Sequence, residues 1–589
     1  MMPATPWWER FPIKYEKEIQ RLNETGFDFF IDEDLKRQGI LKIRVNCPHN
    51  GDILQITAVY PEEYPFFRVN IYCDNIKLEY HQNPISGMLC TLDQSGDSWQ
   101  PEDDTLALML TEQLPKIFLA NNNGGFCAAP QDNLEVPQGE PFSTYPEYAP
   151  GSIMMIDETN VPDEYEEGLF KYLVWNDNKP IRGIVTEICD LDSKLIQKCN
   201  EHISNIYAKI YDNSIKKGVG YWTRQDLSIR ISKPRLFIED ILKKAKQNKH
   251  NNKSSKFEIF AALIPENVKY GHTQDGWIFA ARPNKGKLKP SNNPTINAAD
   301  IHFVRPDRVA KSVLEARIPD LAPLRDKKVA VIGLGMLGSE CAIQLARAGV
   351  QSLVLVDHDI VEAGTTVRWE LGFDTVGHHK APILAYYINR NYPYTTCGDF
   401  AHLIGGTSHS PPPLPEDSTP TLEESLADCN LILDATASAA VHNYLAWFSK
   451  DLKIPHLVAT GSAGGYGGMI SLHDPNDPDS GCWQCLMHAI DSDNPTIPPA
   501  NAAPASLANV QPPGCSSITS TGAGFDFDQI AINAVRLAAG FLCSNEPDGY
   551  PMPKWNVGVL KLRNKDGSIT APQWETHNLG RGKDCYYDL

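Results

Sequence analysis

The sequence predicts a multi-domain α/β protein, and three observations carry that prediction. At 589 residues the chain is too long for one hydrophobic core, and about three or four domains suit it. From near Ile301 to the end, strand-like and helix-like stretches alternate, as a parallel sheet covered by helices requires. Within that stretch, "KKVAVIGLGMLGSECAIQLARAGV" reads as a strand, a glycine turn and a helix.

The elements divide into three domains, 1–150, 151–305 and 306–589. In the first, a helical period covers Tyr15 to Thr25. Strand-like runs "LKIRVNC", "DILQITAVY" and "RVNIYCD" follow, and then an apolar-periodic helix behind "SWQPEDD". Residues 121–151, rich in Gly, Asn and Pro, mark a boundary. The middle domain reads as mixed α/β, with strands such as "FEIFAALI" and "GWIFAARP" and no motif that carries chemistry. Two Pro-rich runs in the last domain, "SPPPLPEDSTP" and "NPTIPPANAAPASLANVQPPG", read as exposed loops.

Charge and cysteine usage restrict the function. The 54 basic and 73 acidic residues leave a net charge of −19, which argues against direct nucleic-acid binding and anionic membranes. A local basic run from Lys243 to Lys256 reads as a solvated helix end. No apolar run of about 18 residues occurs, and the N-terminus lacks an apolar leader. A cytoplasmic protein with reduced thiols is therefore expected, and each of its 14 cysteines is packing, metal ligand or nucleophile.

The glycine turn places Gly333, Gly335 and Gly338 in GxGxxG spacing, followed by a second strand, "SLVLVD", that ends at Asp357. Glycines let a backbone approach phosphate, the helix N-terminus offers N–H donors, and a carboxylate at that distance accepts from a ribose hydroxyl. NAD and ATP sites share this framework. The next stretch, "DHDIVEAGTTVRWELGFDTVGHHKA", adds Arg368 and Lys380, two cations suited to an enzyme that works at a phosphate. It resembles the adenylating enzymes of the ubiquitin-activating, molybdopterin-synthase-adenylating and ThiF type. The resemblance implies ATP and Mg2+ as cofactors, with Asp357 on ribose, Arg368 and Lys380 on the triphosphate, and Asp359 near magnesium. Thr365 stands where that family has asparagine. "DATAS" stands for its "DCTDN", keeping Asp434 for the nucleotide site but placing Ala437 at a magnesium-associated aspartate.

That family also carries a cysteine on a crossing loop ahead of a helix, and "QPPGCSSITSTGAGFDFDQIAINAVRLAAGFL" puts Cys515 there. Lowering a thiol pKa of about 8.5 by one unit raises its reactive fraction several-fold at neutral pH. "CWQC", Cys482 and Cys485, is half of a zinc site by spacing, with Cys585 the remaining thiol near the C-terminus. The pair reads as a candidate zinc site, or as structural or accessory redox thiols.

The first domain contains "HQNPISGMLC" and then "SWQP". This set resembles the ubiquitin-conjugating fold, whose pattern is HPN, a glycine and the active cysteine, then W-x-P. The resemblance implies an α+β domain, a thioester on Cys90, an oxyanion donor in Asn83 and a bracing role for His81; Gln82 replaces the family's proline.

Both ends together resemble bacterial fusions of ubiquitin-activating and ubiquitin-conjugating enzymes, more narrowly those found with CD-NTases in CBASS antiphage systems. The implied function is a relay. ATP activates the C-terminus of a cGAS-like CD-NTase, Cys515 and then Cys90 carry it as thioesters, and a protein or small amine accepts it. Dimerisation through the adenylating domain is implied too. Two alternatives stand beside this reading: a sulfur-carrier adenylyltransferase whose N-terminal module only binds a partner, and an NAD-linked oxidoreductase.

Overall fold

A computed structural model describes residues 5–49, 51–78, 81–90, 99–122, 141–176, 180–199, 201–211, 214–225, 233–244, 256–269, 272–284, 300–406, 421–492, 495–510, 519–583 and 585. The chain divides into two compact units, Met1–Ala310 and Lys311–Leu589. Among the described residues, no helix is long and apolar enough to cross a membrane.

The first unit begins with an antiparallel meander of β1 (Asp28–Ile31), β2 (Lys42–His49), β3 (Asp52–Val59) and β4 (Asn70–Cys73), in that order across the sheet. Alternation drives it: Ile43, Val45 and Cys47 of β2 are buried while Arg44 and Asn46 are exposed. Helix Pro12–Glu24 starts on a proline, whose missing N–H costs nothing in a first turn. It contributes Leu22 and a buried carboxylate, Glu18, to the same core. Tyr60 donates to Glu18 at 3.1 Å, as do Tyr64 and the Leu106 N–H, the latter at 3.1 Å. Burial raises the Glu18 pKa, and these donors oppose the rise.

A second sheet in this unit contains β5 (Tyr148–Ile156), β6 (Glu167–Asn176), β7 (Arg182–Cys189), β8 (Leu195–Lys198), β9 (Lys216–Arg224), β10 (Phe257–Lys269), β11 (His272–Pro283) and β12 (His302–Arg308). Its order is β5-β12-β11-β10-β9-β6-β7-β8, and β5 also pairs with β7, so the sheet closes on itself. The mixed α/β composition expected here resolves into a mainly β structure with helices Glu201–Tyr211 and Pro234–Lys244. Glycines permit the closure: a Cβ on Gly218 would sit 2.2 Å from the Tyr172 ring, and one on Gly220 would sit 2.1 Å from Phe170.

The second unit is built on β13 (Lys328–Ile332), β14 (Ser352–Val356), β15 (Thr396–Phe400), β16 (Leu431–Asp434), β17 (His456–Gly461) and β18 (Gly467–His473). A short ribbon, β19 (Asn509–Val510) with β20 (Thr519–Ser520), follows, and then β21 (Val557–Arg563) and β22 (Ile569–His577). The main sheet runs β15-β14-β13-β16-β17-β18-β21-β22, parallel through β17 and antiparallel beyond. Strands buried on both faces read as continuous apolar runs, and Val329 to Ile332 are all buried. Strand order reverses beside β13, which opens a crevice at the carboxyl ends of the strands, the place where such sheets bind ligands. This is the Rossmann-like architecture expected for the C-terminal domain.

Candidate active site

The crevice holds a cavity of about 340 Å³ lined by the glycine turn, residues 356–359, Lys380, the 402–404 loop, residues 435–438 and Ser520. The three glycines of the turn serve different needs. Gly333 has φ +79°, and a Cβ on it would meet the Thr436 backbone at 2.6 Å. Gly338 lies in the first turns of helix Met336–Arg347, where a Cβ would fall 1.8 Å from the Gly333 carbonyl. A Cβ on Gly335, the residue that starts this helix, would meet nothing within 4 Å. That open position faces the cavity where a phosphate would approach.

The turn is pinned from both sides. Leu334 N–H donates to Asp357 Oδ2 at 2.6 Å, and the Leu334 carbonyl accepts from the Trp369 indole at 2.8 Å. Asp357 Oδ1 also accepts from the Asp359 N–H at 2.8 Å, so the expected ribose carboxylate is also a clamp on the loop. Lys380 opens helix Lys380–Asn391, with its Nζ 2.8 Å from Asp359 Oδ2 and its side chain 12% exposed. His358 Nε2 approaches the other Asp359 oxygen at 3.1 Å. Thus one carboxylate fixes two cavity-lining basic side chains.

Arg368 sits differently from the expectation. It lies outside the cavity lining, and its guanidinium donates to the Ser520 carbonyl. Burial lowers its pKa. Arg368 therefore ties the loop before Lys380 to the end of the β19–β20 ribbon.

Asp434, expected at the nucleotide site, is fully buried and is not among the cavity-lining residues. His442 Nδ1 lies 2.7 Å from its Oδ2, and His456 Nε2 lies 3.5 Å from that same oxygen. Oδ1 accepts from the Thr436 N–H at 3.0 Å and the Thr436 hydroxyl at 2.8 Å. Burial alone would raise its pKa, but the imidazole hydrogen bonds and charges outweigh burial and hold the carboxyl well below its usual range. Asp434 thus shapes the 435–438 floor of the cavity, including Ala437 at φ +54°. Because its folded pKa is depressed, its stabilisation is complete above the unfolded carboxylate value of about 4 and is lost as pH falls further. Asp434→Ala should cost about 3–5 kcal/mol, since two imidazoles lose their buried partner. Thermal unfolding at neutral pH measures that loss, and an unchanged melting temperature would refute it.

Sequence reading passed over His402, Leu403 and Ile404, which line the cavity on the loop after β15, and Trp369, which braces the turn. The loop after β15 had a signal, its place at the carboxyl end of a third parallel strand. Trp369 had none, because its partner is 35 residues distant.

Cys482 and Cys485 are joined by Cys585: their buried sulfurs lie 3.6 Å apart, and Cys482 Sγ is 3.5 Å from Cys585 Sγ. A zinc ion with Zn–S of about 2.3 Å sets tetrahedral S···S edges of about 3.8 Å, so the three thiols fit such an ion. Hydrogen bonding from Cys482 lowers the Cys485 pKa against the opposing effect of burial, and the Gly582 N–H donates to Cys485 at 3.3 Å.

In the first unit, Cys90 is half-buried at the end of the 81–90 turn. Asn83 Oδ1 accepts from the Ile85 and Ser86 N–H groups, both at 2.9 Å, which leaves Nδ2 as its donor end. Gln82, 5% exposed, donates to the Cys73 carbonyl at 2.7 Å and accepts from Leu78 N–H at 2.7 Å. Cys515 lies outside the described residues, in the stretch of sequence between Val510 and Thr519.

Comparison with known proteins places this geometry. Residues 310–524 match the sequence model of the ThiF family. The chain is 29% identical to uncharacterized protein y4qC of Sinorhizobium fredii, over 96% of this chain and 95% of that protein. It is 34% identical over 148 residues to the ATP-dependent ubiquitin transferase-like protein Cap2 of Enterobacter hormaechei, 25% of this chain and 23% of that protein. Identity to the molybdopterin-synthase adenylyltransferase of Escherichia coli is 29%, over 28% of this chain and 59% of that protein. The glycine turn, Asp357, Arg368 and Lys380 all fall inside the matched stretch, and residues 310–524 are a ThiF-family adenylyltransferase domain.

Proposed function

We propose that this chain uses ATP to adenylate the C-terminal carboxylate of a partner protein and then carries the acyl group on Cys515 and Cys90 as successive thioesters. A carboxylate is a poor electrophile; joining it to AMP, with pyrophosphate released, makes its carbonyl attackable by a thiol. Lys380 offsets charge that develops on the phosphates, and Asp357 orients the ribose. Asp357 and Asp359 are the carboxylates that would hold Mg2+, and the chemistry the ion would supply there is neutralisation of phosphate charge.

One observation carries the thiol step. Ser520 lines the nucleotide cavity, and Cys515 comes five residues before it in the sequence. The similarity to Cap2, by name ubiquitin transferase-like, supports onward transfer. The Cys90 turn, with the Asn83 amide as oxyanion donor, is the acceptor we assign to it. The substrate in this reading is the C-terminus of a cGAS-like CD-NTase, and the final acceptor is a protein or small amine. The setting is cytoplasmic antiphage defence of the CBASS type, and the chain acts as a homodimer. Incubating the full chain with ATP, Mg2+ and a purified CD-NTase should give thiol-sensitive adducts, located by mass spectrometry. Cys90→Ala should retain the adduct on Cys515, and Cys515→Ala should lose both. No adduct on either cysteine would end the relay reading. An intact yield of product from Cys90→Ala would instead favour a sulfur-carrier adenylyltransferase with a non-catalytic N-terminal module.

We also assign the three-thiol cluster to zinc. Purified protein should contain about one zinc per chain by elemental analysis, because deprotonated thiols at this spacing bind it tightly. Cys585→Ser should lower that content and the thermal stability together. A wild-type chain purified without metal and equally stable would refute the assignment.

A further inference from the structure

Two routes lead away from the buried carboxylate under the nucleotide cavity, and both end at the three thiols. The first runs through His442 on helix Ala439–Leu452, whose Nδ1 lies 2.7 Å from Asp434 Oδ2. The same imidazole packs against the Trp483 indole, with ring centroids 4.6 Å apart. Trp483 stands between Cys482 and Cys485 and opens helix Trp483–Asp491, which Cys482 caps. The second route runs through His456, whose Nε2 lies 3.5 Å from that Asp434 oxygen. His456 on β17 pairs in register with His473 on β18, and His473 Nδ1 lies 3.3 Å from the Ser480 hydroxyl. Ser480 and His473 line one small cavity with Cys482 and Cys585.

At its other end this arrangement meets the nucleotide site. Asp434 Oδ1 holds both the N–H and the hydroxyl of Thr436. The Thr436 backbone sits against the glycine turn, since its Cα is 2.6 Å from where a Gly333 Cβ would stand. The position of Asp434 therefore sets the 435–438 floor and the clearance at Gly333 together. Asp434, His442, His456, His473, Ser480 and Trp483 are each 9% exposed or less, so water does not replace a contact that is lost. In a close-packed interior the neighbours shift instead.

We propose that Trp483 is a positioning residue for nucleotide binding. The thiol cluster fixes its indole, the indole fixes His442, and His442 fixes the carboxylate that sets the floor of the cavity. This role rests on the reading of the cavity as an ATP site. Trp483 is not among the cavity-lining residues, so its effect on ATP travels through His442 and Asp434. The CWQC segment thereby does more than close a local fold: it holds one wall of a site built on other strands.

The test needs no acyl acceptor or partner. The full chain, Trp483→Leu and Trp483→Phe are titrated with ATP and Mg2+ by calorimetry, well below their melting temperatures and with the fold checked by circular dichroism. Trp483→Leu should bind ATP about tenfold more weakly than wild type, within the range that changes along a packed network produce. Trp483→Phe keeps a ring against His442 and should stay within about threefold of wild type. Both variants keep all three thiols, so zinc content by elemental analysis should match wild type and separate the effect from loss of metal. An ATP Kd for folded Trp483→Leu within about twofold of wild type would overturn the proposal, as would equal losses in the Leu and Phe variants. Should Trp483→Leu fail to fold, Cys585→Ser decides, because it leaves the indole in place and loosens the cluster that holds it. An unchanged Kd there would overturn the proposal, and a weakened one would uphold it. No ATP binding by wild type would defeat the reading of the cavity itself, whereas binding unchanged in Trp483→Leu defeats the positioning role alone.

Discussion

Lys380→Ala should lower partner-dependent ATP–pyrophosphate exchange by about 10²- to 10³-fold, the usual loss when one preorganised charge donor is removed from a transition state. The Lys380 side chain is 12% exposed and its ammonium is held 2.8 Å from Asp359, so it does not have to be gathered from solvent as charge develops. The backbone adds to this, because Lys380 N–H donates to the Asp359 carbonyl at 2.9 Å. Lys380→Arg should recover part of the rate, since charge is kept and placement is not. The fold should tolerate both changes, because an N-terminal helix position needs no lysine. Exchange within twofold of wild type in Lys380→Ala would remove this residue from the adenylation step.

Gly338→Ala should be among the most damaging single substitutions in the second unit. The new methyl would fall 1.8 Å from the Gly333 carbonyl oxygen and 3.4 Å from Ala435 Cβ. Relief requires the glycine turn to separate from helix Met336–Arg347, at about 3 kcal/mol or more. Gly335→Ala is the matched contrast, as its methyl meets no protein atom within 4 Å. That variant should fold normally and yet lose most of its stabilisation by ATP, which for a ligand at 100 times its Kd is about 2.7 kcal/mol. Thermal unfolding with and without ATP separates the two behaviours. Equal melting temperatures for Gly338→Ala and wild type would refute the packing claim, and a full ATP shift in Gly335→Ala would refute the phosphate approach.

Strand–turn–helix at 328–347, the spacing of Gly333, Gly335 and Gly338, and the lysine and aspartates that follow are local features. Each depends on neighbours a few residues away, so backbone sterics and apolar periodicity suffice to read them. The alternation in β2 and β3 is legible for the same reason. The closed middle sheet was not legible, because its closure depends on β5 pairing with β7 and on aromatic rings seated over glycines of other strands.

Read from residue order alone, a GxGxxG turn, Cys90 behind a glycine, Cys515 ahead of a helix and a CxxC pair share one chain. Tertiary structure alone decided how those groups are employed. It buried Asp434 between two histidines, turned Arg368 toward Ser520, and brought Cys585 to a thiol 103 residues earlier. The physical reason is range. Burial and hydrogen-bond partnership are set by segments distant in sequence, and one-dimensional spacing carries no term for them.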